Sequence, residues 1–244
     1  MVIDVSKYNG NVDYPKVKNN CEGVIIRAGY RGYSTGKIAT DVHFKRNIVG
    51  AAACNIPKGV YFVTQAITQA EGKEEAWYTL DLVKQYKLNL PIFIDAEDSN
   101  VKATGRADRG KLSKDKRTGI IKAFCDEIEK KGYIAGVYAS ESWFRDMLNI
   151  SKLDKYYLWV AKYSSKEPGI KWDAWQYTDK GQISGITGNV DMSKFKTVKK
   201  TINEIAKEVI NGKWGDGIKR KQALTAAGYN YKLVQAKVNE MLGL

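Results

Sequence analysis

Apolar, β-branched runs recur along the chain as far as Phe195, each bounded by turn residues or by segments of helical periodicity. They predict eight strands: Val2–Ser6, Gly23–Tyr30, Gly59–Val63, Leu90–Glu97, Ile134–Ala139, Tyr157–Tyr163, Ala174–Thr178 and Asn189–Met192. Between the first six, the pattern predicts helices at Asp13–Asn20, Thr40–Asn55, Gln65–Tyr86, Ser113–Lys131 and Glu141–Leu148. Because strands joined by helices favour parallel pairing, the pattern indicates an α/β fold.

The last three predicted strands are joined by short connections of about ten residues, which contain Pro168, Gly169, Gly185 and Gly188. Such connections leave no room for crossover helices. The chain of 244 residues also has the length of one barrel, since (β/α) barrels commonly use about 200 to 250 residues. We therefore predict an irregular TIM-like (β/α)5β3 barrel over residues 1–198.

After Phe195 the pattern changes to three short helical segments, predicted at Ile202–Ile210, Gly217–Ala227 and Lys232–Met241. Their apolar positions fit a very small core of Ile205, Val209, Leu224, Val234, Val238 and Leu242. Residues 202–244 are therefore expected to form a separate all-α three-helix module.

Cysteine and histidine usage narrows the possible chemistry. Cys21, Cys54 and Cys125 are odd in number, far apart and without CxxC spacing, so we expect reduced thiols. His43 is the single histidine, which excludes metal sites that need two or more histidines. Any catalysis is expected to use carboxylates.

The net charge of +13, from 40 basic and 27 acidic residues, favours a polyanionic partner. No block of Lys and Arg carries interleaved aromatic residues, so nucleic acid is not expected. No run of 18 apolar residues appears, and Met1–Asp4 opens directly into a strand, so neither a membrane span nor a signal peptide is expected. The sign of the charge alone does not choose between the other polyanions, an anionic lipid surface and an anionic cell wall.

Carboxylates fall at the ends of three predicted strands. Side chains alternate along a strand, so Asp95 and Glu97 share the inner face of the barrel with Phe93. The same alternation turns Asp4 inward on the first strand and Asp191 inward on the last. A single strand-end Asp is as often a turn or capping residue, the interpretation we give to Asp98. Four converging acids would raise one another's pKa, and this would keep one protonated as glycosidic cleavage requires.

Residues 1–198 resemble the glycoside hydrolase family 25 lysozymes, the muramidases common in phage endolysins. The segments that carry the resemblance are Ile3–Ser6, Asn9–Gly10, Ile26–Gly29, Gly59–Phe62, Asp95–Glu97, Gly136–Tyr138, Trp175–Tyr177 and Gly188–Asp191. Residues 202–243 are similar to the CW-type-seven cell-wall-binding repeat, through Glu204–Ile210, Gly212–Gly215, Ala226–Tyr229 and Val234–Asn239. One such repeat implies attachment to the wall, and we expect Trp214 to contact it or to fill the small core.

The resemblance implies cleavage of the β-1,4 bond between N-acetylmuramic acid and N-acetylglucosamine in bacterial peptidoglycan, with Glu97 as the general acid. Asp95 is then the nucleophile, or it orients the substrate's own acetamido group for attack, and Asp4 and Asp191 hold substrate or raise the pKa of Glu97. No metal or other cofactor is implied.

Further residues are expected to line the substrate groove. Aromatic side chains at strand ends are candidates for stacking on sugar rings, namely Tyr61, Tyr138, Tyr163 and Trp175. Arg27 is a candidate to bind the lactyl carboxylate of muramic acid. The loop Asp98–Lys111, with Lys102, Arg106 and Arg109, is either part of the groove or a solvated surface.

Two rival functions remain open. Chitinase-type barrels extend the acid pair to D-x-D-x-E, and here Phe93 occupies the place of the additional acid. A non-catalytic wall lectin would bind glycan without needing Glu97. For a phage lysin, the absence of a signal peptide implies residence in the host bacterial cytoplasm until a membrane lesion releases the enzyme to the wall. The sequence leaves the oligomeric state open.

Overall fold

Eight strands close into a barrel, and a ninth lies outside it. The computed structural model describes residues 1–99, 105–196, 200 and 202–244. The strands are β1 (Val2–Val5), β2 (Gly23–Arg31), β3 (Ile38–Thr40), β4 (Lys58–Val63), β5 (Ile92–Asp95), β6 (Ala135–Ser140), β7 (Tyr157–Ala161), β8 (Ala174–Gly181) and β9 (Val190–Phe195). Their order is β1-β9-β8-β7-β6-β5-β4-β2, and the pairing of β1 with β2 closes the ring. The predicted α/β barrel is confirmed.

Helices alternate with the first barrel strands. They are α1 (Tyr14–Val17), α2 (Phe44–Ala53), α3 (Gln69–Val83), α4 (Lys114–Lys130) and α5 (Glu141–Met147), with 3-10 turns at Lys7–Asn9 and Ile150–Lys152. Hydroxyl caps fix where α3, α4 and α5 begin, because Thr68, Ser113 and Ser140 each accept a backbone N–H of the first turn. Within the described residues, no α-helix separates β7, β8 and β9.

Two strands depart from the predicted parallel sheet. β9 runs antiparallel to both β8 and β1, since a short connection after β8 allows only a hairpin return. β3 pairs antiparallel with the end of β2 through a turn in which the N–H of Gly32 donates to the carbonyl of Lys37. The prediction of a helix from Thr40 is therefore wrong at its start, because Thr40 is paired with Gly29 and the helix begins at Phe44.

The barrel interior has an apolar floor. Ile25, Phe93, Tyr157 and Trp159 pack there, while the alternate residues of the same strands join the core beneath the helices. Phe93 needs Gly136 on the neighbouring strand, because a Cβ at that position would lie 2.3 Å from the Phe93 ring. These apolar side chains pack beneath the polar residues that form the next layer of the barrel interior.

The C-terminal helices are α6 (Ile202–Ile210), α7 (Gly217–Ala226) and α8 (Tyr231–Leu242). They enclose a core of their own, made of Ile202, Ile205, Ala206, Val209, Leu224, Val234 and Val238. The predicted Leu242 is absent from this core because 53% of it is exposed near the chain terminus. Among the described helices, none is long and apolar enough to cross a lipid bilayer.

Candidate active site

The four predicted acids lie at one end of the barrel. Asp95 is the last residue of β5, and Glu97 follows it by two positions. Asp4 and Asp191 lie directly opposite each other in the β1–β9 pair. Because β9 is antiparallel, Asp191 near its start reaches the same end of the barrel as Asp95 at the end of a parallel strand. Alternation thus brings together acids from three strands.

Burial and mutual repulsion raise the pKa values of these carboxyl groups. Burial is the main cause that raises the pKa of Asp95 well above its ordinary value, and Glu97 and Asp4 add to it. Burial and then Asp191 raise the pKa of Glu97 to about 7, while the charge of Arg27 opposes the rise. Burial, followed by Asp191, likewise raises the pKa of Asp4. A group that holds its proton near neutral pH has the property required of a general acid.

A glutamine joins the acids to the aromatic side chains around them. The Nε2 of Gln176 on β8 donates to Oδ2 of Asp4 at 2.9 Å. Its Oε1 accepts from the hydroxyls of Tyr138 at 2.9 Å and Tyr163 at 3.1 Å. Gln176 is 2% exposed, so these bonds satisfy the polar groups of a buried amide.

Arg27 reaches the site from β2, although it already has an acidic partner. Its Nε donates to Oδ2 of Asp41 at 2.6 Å, and the Asp41 side chain is fully buried. Asp41 also accepts the backbone N–H groups of Lys7 and His43. The pair balances the Arg27 charge within the protein, and this weakens the prediction that Arg27 binds a substrate carboxylate.

The predicted aromatic residues do not all lie in the groove. Tyr163 lies at the rim with 55% of its surface exposed, and Tyr61 is half-buried near the acids. Tyr138 is buried beneath the rim, with its ring centroid 4.6 Å from that of Trp159. The placement of Trp175 is wrong: it lies on the face of β8 opposite to Gln176, packs in the outer core, and donates its Nε1–H to the carbonyl of Lys162. Both faces of a barrel strand are buried, so the apolar pattern did not fix the phase of β8.

The segment after Glu97 is held by a polar clamp. Oδ2 of Asp98 accepts from Nε1 of Trp143 at 3.0 Å and from Nε of Arg109 at 3.2 Å. Asp108 accepts the N–H and hydroxyl of Ser99 at 2.7 and 2.5 Å. The guanidinium of Arg117 lies over the Trp143 ring and donates to the carbonyl of Asp108. Asp98 is therefore more than a turn residue.

Two of the predicted basic side chains of this loop, Arg106 and Arg109, pair with acidic residues of the protein. Arg106 forms an ion pair with Glu71 at 2.6 Å, and Arg109 forms one with Asp98. Lys102 lies outside the described residues. The two described arginines thus brace the loop that follows the acid pair.

Sequence reasoning missed several residues of the site. Gln176 and Trp159 lie on β8 and β7, and the sequence did not show which residues of these strands face the barrel interior. The family motif Trp175–Tyr177 nevertheless contains Gln176. Tyr33 lies in the β2–β3 turn; burial, and then the charges of Glu97 and Asp95, raise its pKa to about 12. No periodic pattern points from such a turn toward an active site.

Trp214, the predicted contact of the helical module, lies beside the module core. Its ring makes an edge contact with Tyr229 at 5.9 Å between centroids, and its Nε1 donates to Glu208 at 3.1 Å. The side chain is half-buried against the cluster of α6, α7 and α8. This environment has features of both a core residue and a surface contact.

Two family models and several known proteins match this chain. The model of the glycosyl hydrolases family 25 matches residues 3–186, and the CW_7 repeat matches residues 203–242. The autolytic lysozyme of Clostridium acetobutylicum is 28% identical over 196 residues, covering 79% of this chain and 55% of that protein. The lysozyme of Streptococcus phage Cp-7 is 28% identical over 205 residues, covering 76% of this chain and 56% of that protein.

Solved structures agree with this relationship. The modular autolysin LytC of Streptococcus pneumoniae superposes with a TM-score of 0.68 at 30% identity, over 79% of this chain and 45% of that one. The chain thus spans about half the length of these relatives. The family model covers well over half of the chain, and the four acids lie within or close to the matched barrel. On these grounds the chain belongs to the glycosyl hydrolases of family 25 and carries a C-terminal CW_7 repeat.

Proposed function

We propose that this protein is an N-acetylmuramidase that hydrolyses the β-1,4 bond between N-acetylmuramic acid and N-acetylglucosamine in bacterial peptidoglycan. The observation that carries the proposal is the convergence of Asp4, Asp95, Glu97 and Asp191 at one end of a family 25 barrel. Glycosidic cleavage needs a protonated carboxyl beside an ionised one, and crowded buried acids supply that combination.

Glu97 acts as the general acid in this proposal. With a pKa raised to about 7, it still holds a proton near neutral pH and has partial access to solvent, so it can deliver that proton to the departing glycosidic oxygen. Asp191 supports this role, because its charge opposes ionisation of Glu97, and it raises the pKa of Asp4 as well. We propose that Asp4 holds substrate.

Asp95 has two possible roles, and its burial favours one of them. A direct nucleophile must reach the anomeric carbon as an anion, but Asp95 is only 4% exposed and its pKa is raised. A residue that only orients the substrate's acetamido group needs less access. We therefore propose substrate assistance, in which the acetamido oxygen attacks and Asp95 holds that group in place.

We assign glycan binding to aromatic side chains at the edge of the groove, which we call the rim. Tyr163 offers an exposed ring face for a sugar, and Tyr61 lies deeper beside the acids. Tyr138 supports the rim from below through Gln176.

Residues 202–244 are proposed to be the wall-binding module, with Trp214 as its contact residue, and residues 1–198 the catalytic barrel. Action on the wall would follow release from the host cytoplasm through a membrane lesion.

Digestion of purified peptidoglycan tests the proposal. Mass spectrometry should find new reducing ends on muramic acid, and Glu97→Gln should lose activity by about 10²- to 10⁴-fold while retaining its fold. Glu22→Gln is a matched control, because the Glu22 side chain is exposed and pairs with the amino terminus. Reducing-end glucosamine, freed stem peptides, or wall binding without any cleavage would contradict the proposal. A covalent glycosyl ester on Asp95 would contradict substrate assistance alone.

A further inference from the structure

Two cations and two tyrosines form a cluster beside the acids, which we call the cation–tyrosine cluster: Lys7, Tyr8, Arg27 and Tyr30. The Nζ of Lys7 lies 5.1 Å from the ring centroid of Tyr8 and 6.0 Å from that of Tyr30. The Cζ of Arg27 lies 4.9 and 5.9 Å from the same two centroids. Both charges are thus held against the same aromatic rings.

The two cations differ in how their charge is balanced. Arg27 is paired with the buried carboxylate of Asp41 at 2.6 Å. Lys7 contacts Asp41 only through its backbone N–H, and no carboxylate of the described residues lies within 4.0 Å of its Nζ. Aromatic faces orient this ammonium without neutralising it. Lys7 therefore presents an unbalanced positive charge.

The cluster lies at the edge of the acidic groove. Lys7 follows Ser6 at the end of β1, the strand that carries Asp4. Tyr8 belongs to the same turn and is 79% exposed. Arg27 links the cluster to the site, because it pairs with Tyr61 on the neighbouring strand β4 and shares the Asp41 carboxylate with the Lys7 backbone. A glycan that extends from Glu97 toward the ends of β1 and β2 would therefore approach the Lys7 ammonium.

We infer that Lys7 forms a carboxylate-binding subsite that holds the anionic side of the peptidoglycan substrate at the β1–β2 edge of the groove. This inference rests on the proposed function. The sequence suggested that Arg27 binds this carboxylate, but Asp41 already balances the charge of Arg27. We therefore assign the carboxylate-binding role to Lys7. Two substrate groups share this chemistry: the lactyl carboxylate of a muramic acid without its peptide, and the carboxylates of a peptide stem.

Kinetics on three soluble glycan oligomers test this subsite. The first carries free lactyl carboxylates, the second intact peptide stems, and the third has every carboxyl group converted to an amide. Lys7→Met removes the charge and keeps the length of the side chain, while Lys7→Arg restores the charge. Lys45→Met is the matched control, because Lys45 is an exposed residue of α2 and the substitution makes the same change in net charge.

Lys7→Met should raise KM about two- to fivefold for an anionic oligomer and leave KM for the amidated oligomer unchanged, the size expected of one partly exposed charge pair. Lys7→Arg and Lys45→Met should resemble the original protein. An effect confined to the first oligomer identifies the lactyl group, and one confined to the second identifies the stem. Equal KM changes on all three oligomers, or none on either anionic one, would overturn the inference.

The same oligomers separate this inference from the proposed function. If the original protein cleaved none of them, the proposed function would be wrong. Equilibrium titration of the full chain with each oligomer would then compare Lys7→Met with Lys45→Met directly. Weaker binding of only the anionic oligomers to Lys7→Met would support the subsite, and equal binding to both variants would overturn it.

Discussion

The amide of Gln176 donates a hydrogen bond of 2.9 Å to the carboxyl of Asp4, although the two residues are 172 positions apart in the chain. The same side chain accepts from Tyr138 beneath the rim and Tyr163 at the rim. One buried amide thus connects a member of the acid cluster with the surface proposed to bind sugar.

Replacement of Gln176 by Leu should therefore affect both stability and activity. It removes the hydrogen-bond partner that Asp4 and Tyr138 share in a buried place, which should lower the free energy of unfolding by about 1–3 kcal/mol. Loss of the donor also raises the pKa of Asp4 further, since this bond lowers it. Urea unfolding and kcat measure the two effects. Tyr163→Phe removes only one bond at an exposed position, so an equal loss in that variant would contradict the assignment.

The alkaline limb of the pH–rate profile should report Glu97. A general acid must be protonated, so kcat should fall about tenfold per pH unit above the Glu97 pKa of about 7. Asp98 contributes to the raised pKa of Glu97 through its charge. Asp98→Asn should therefore move the limb to lower pH, while the exposed control Asp81→Asn should not. A limb that stays in place in Asp98→Asn would argue against this electrostatic coupling.

The acids were predictable because they depend only on strand alternation. Asp95 and Glu97 are two positions apart, so their side chains lie on the same face of the strand regardless of the packing around them. The same alternation places Asp4 and Asp191. Gln176 was not predictable, because residues 174–176 of β8 are buried on both faces of the strand and the choice of the inner face depends on packing. Trp175 was misplaced for the same reason.

Residues in turns were harder to predict than residues in strands. Lys7, Tyr8 and Tyr33 belong to irregular connections, whose direction depends on contacts distant in sequence, such as the one between Lys7 and Asp41. β3 was missed because Ile38–Thr40 has only three residues and is directly followed by helix-like sequence. Its pairing with β2 is decided by the turn at Gly32.

The clamp behind Glu97 should position the acid. Trp143→Phe keeps an aromatic ring beneath the Arg117 guanidinium but removes the 3.0 Å bond to Asp98. We expect kcat to fall about three- to tenfold with little change in KM, because the acid and not the glycan is displaced. Trp77→Phe is the control, since Trp77 is exposed and donates to Glu127 on the helical surface. Equal kcat values in the two variants would show that the clamp does not act on Glu97.

The raised pKa of Glu97 should also cost stability at alkaline pH. Folding favours the protonated form, because the pKa rises from 4.5 to about 7, so the contribution of Glu97 is most favourable below pH 4.5 and is lost as pH rises toward 7. Glu97→Gln does not show this loss, because glutamine does not ionise. Its unfolding free energy should exceed that of the original protein by about 1–3 kcal/mol at pH 8 and by almost nothing at pH 4. A constant difference across this range would indicate altered packing instead.

The helical module contacts the end of the barrel that lies opposite to the acids. Ile202, Tyr229 and Leu233 line a crevice with Ala135 at the start of β6 and with Tyr157 at the start of β7. Parallel strands begin at one end of the barrel and carry Asp95 to the other. In the part of the chain that the structure describes, the module therefore lies away from the catalytic acids.

Truncation after residue 201 should consequently spare the chemistry and weaken attachment to the wall. Hydrolysis of a soluble muropeptide should change less than about twofold, whereas lysis of whole cells at dilute enzyme should fall at least about fivefold, because a tethered module raises the local concentration of substrate. Trp214→Ala in the full chain refines the test: loss of wall binding with intact helical circular dichroism indicates direct contact, and loss of helicity indicates support through Tyr229. If truncation abolished cleavage of the soluble substrate while the barrel stayed folded, the module would have to complete the active site, contrary to its position at the opposite end.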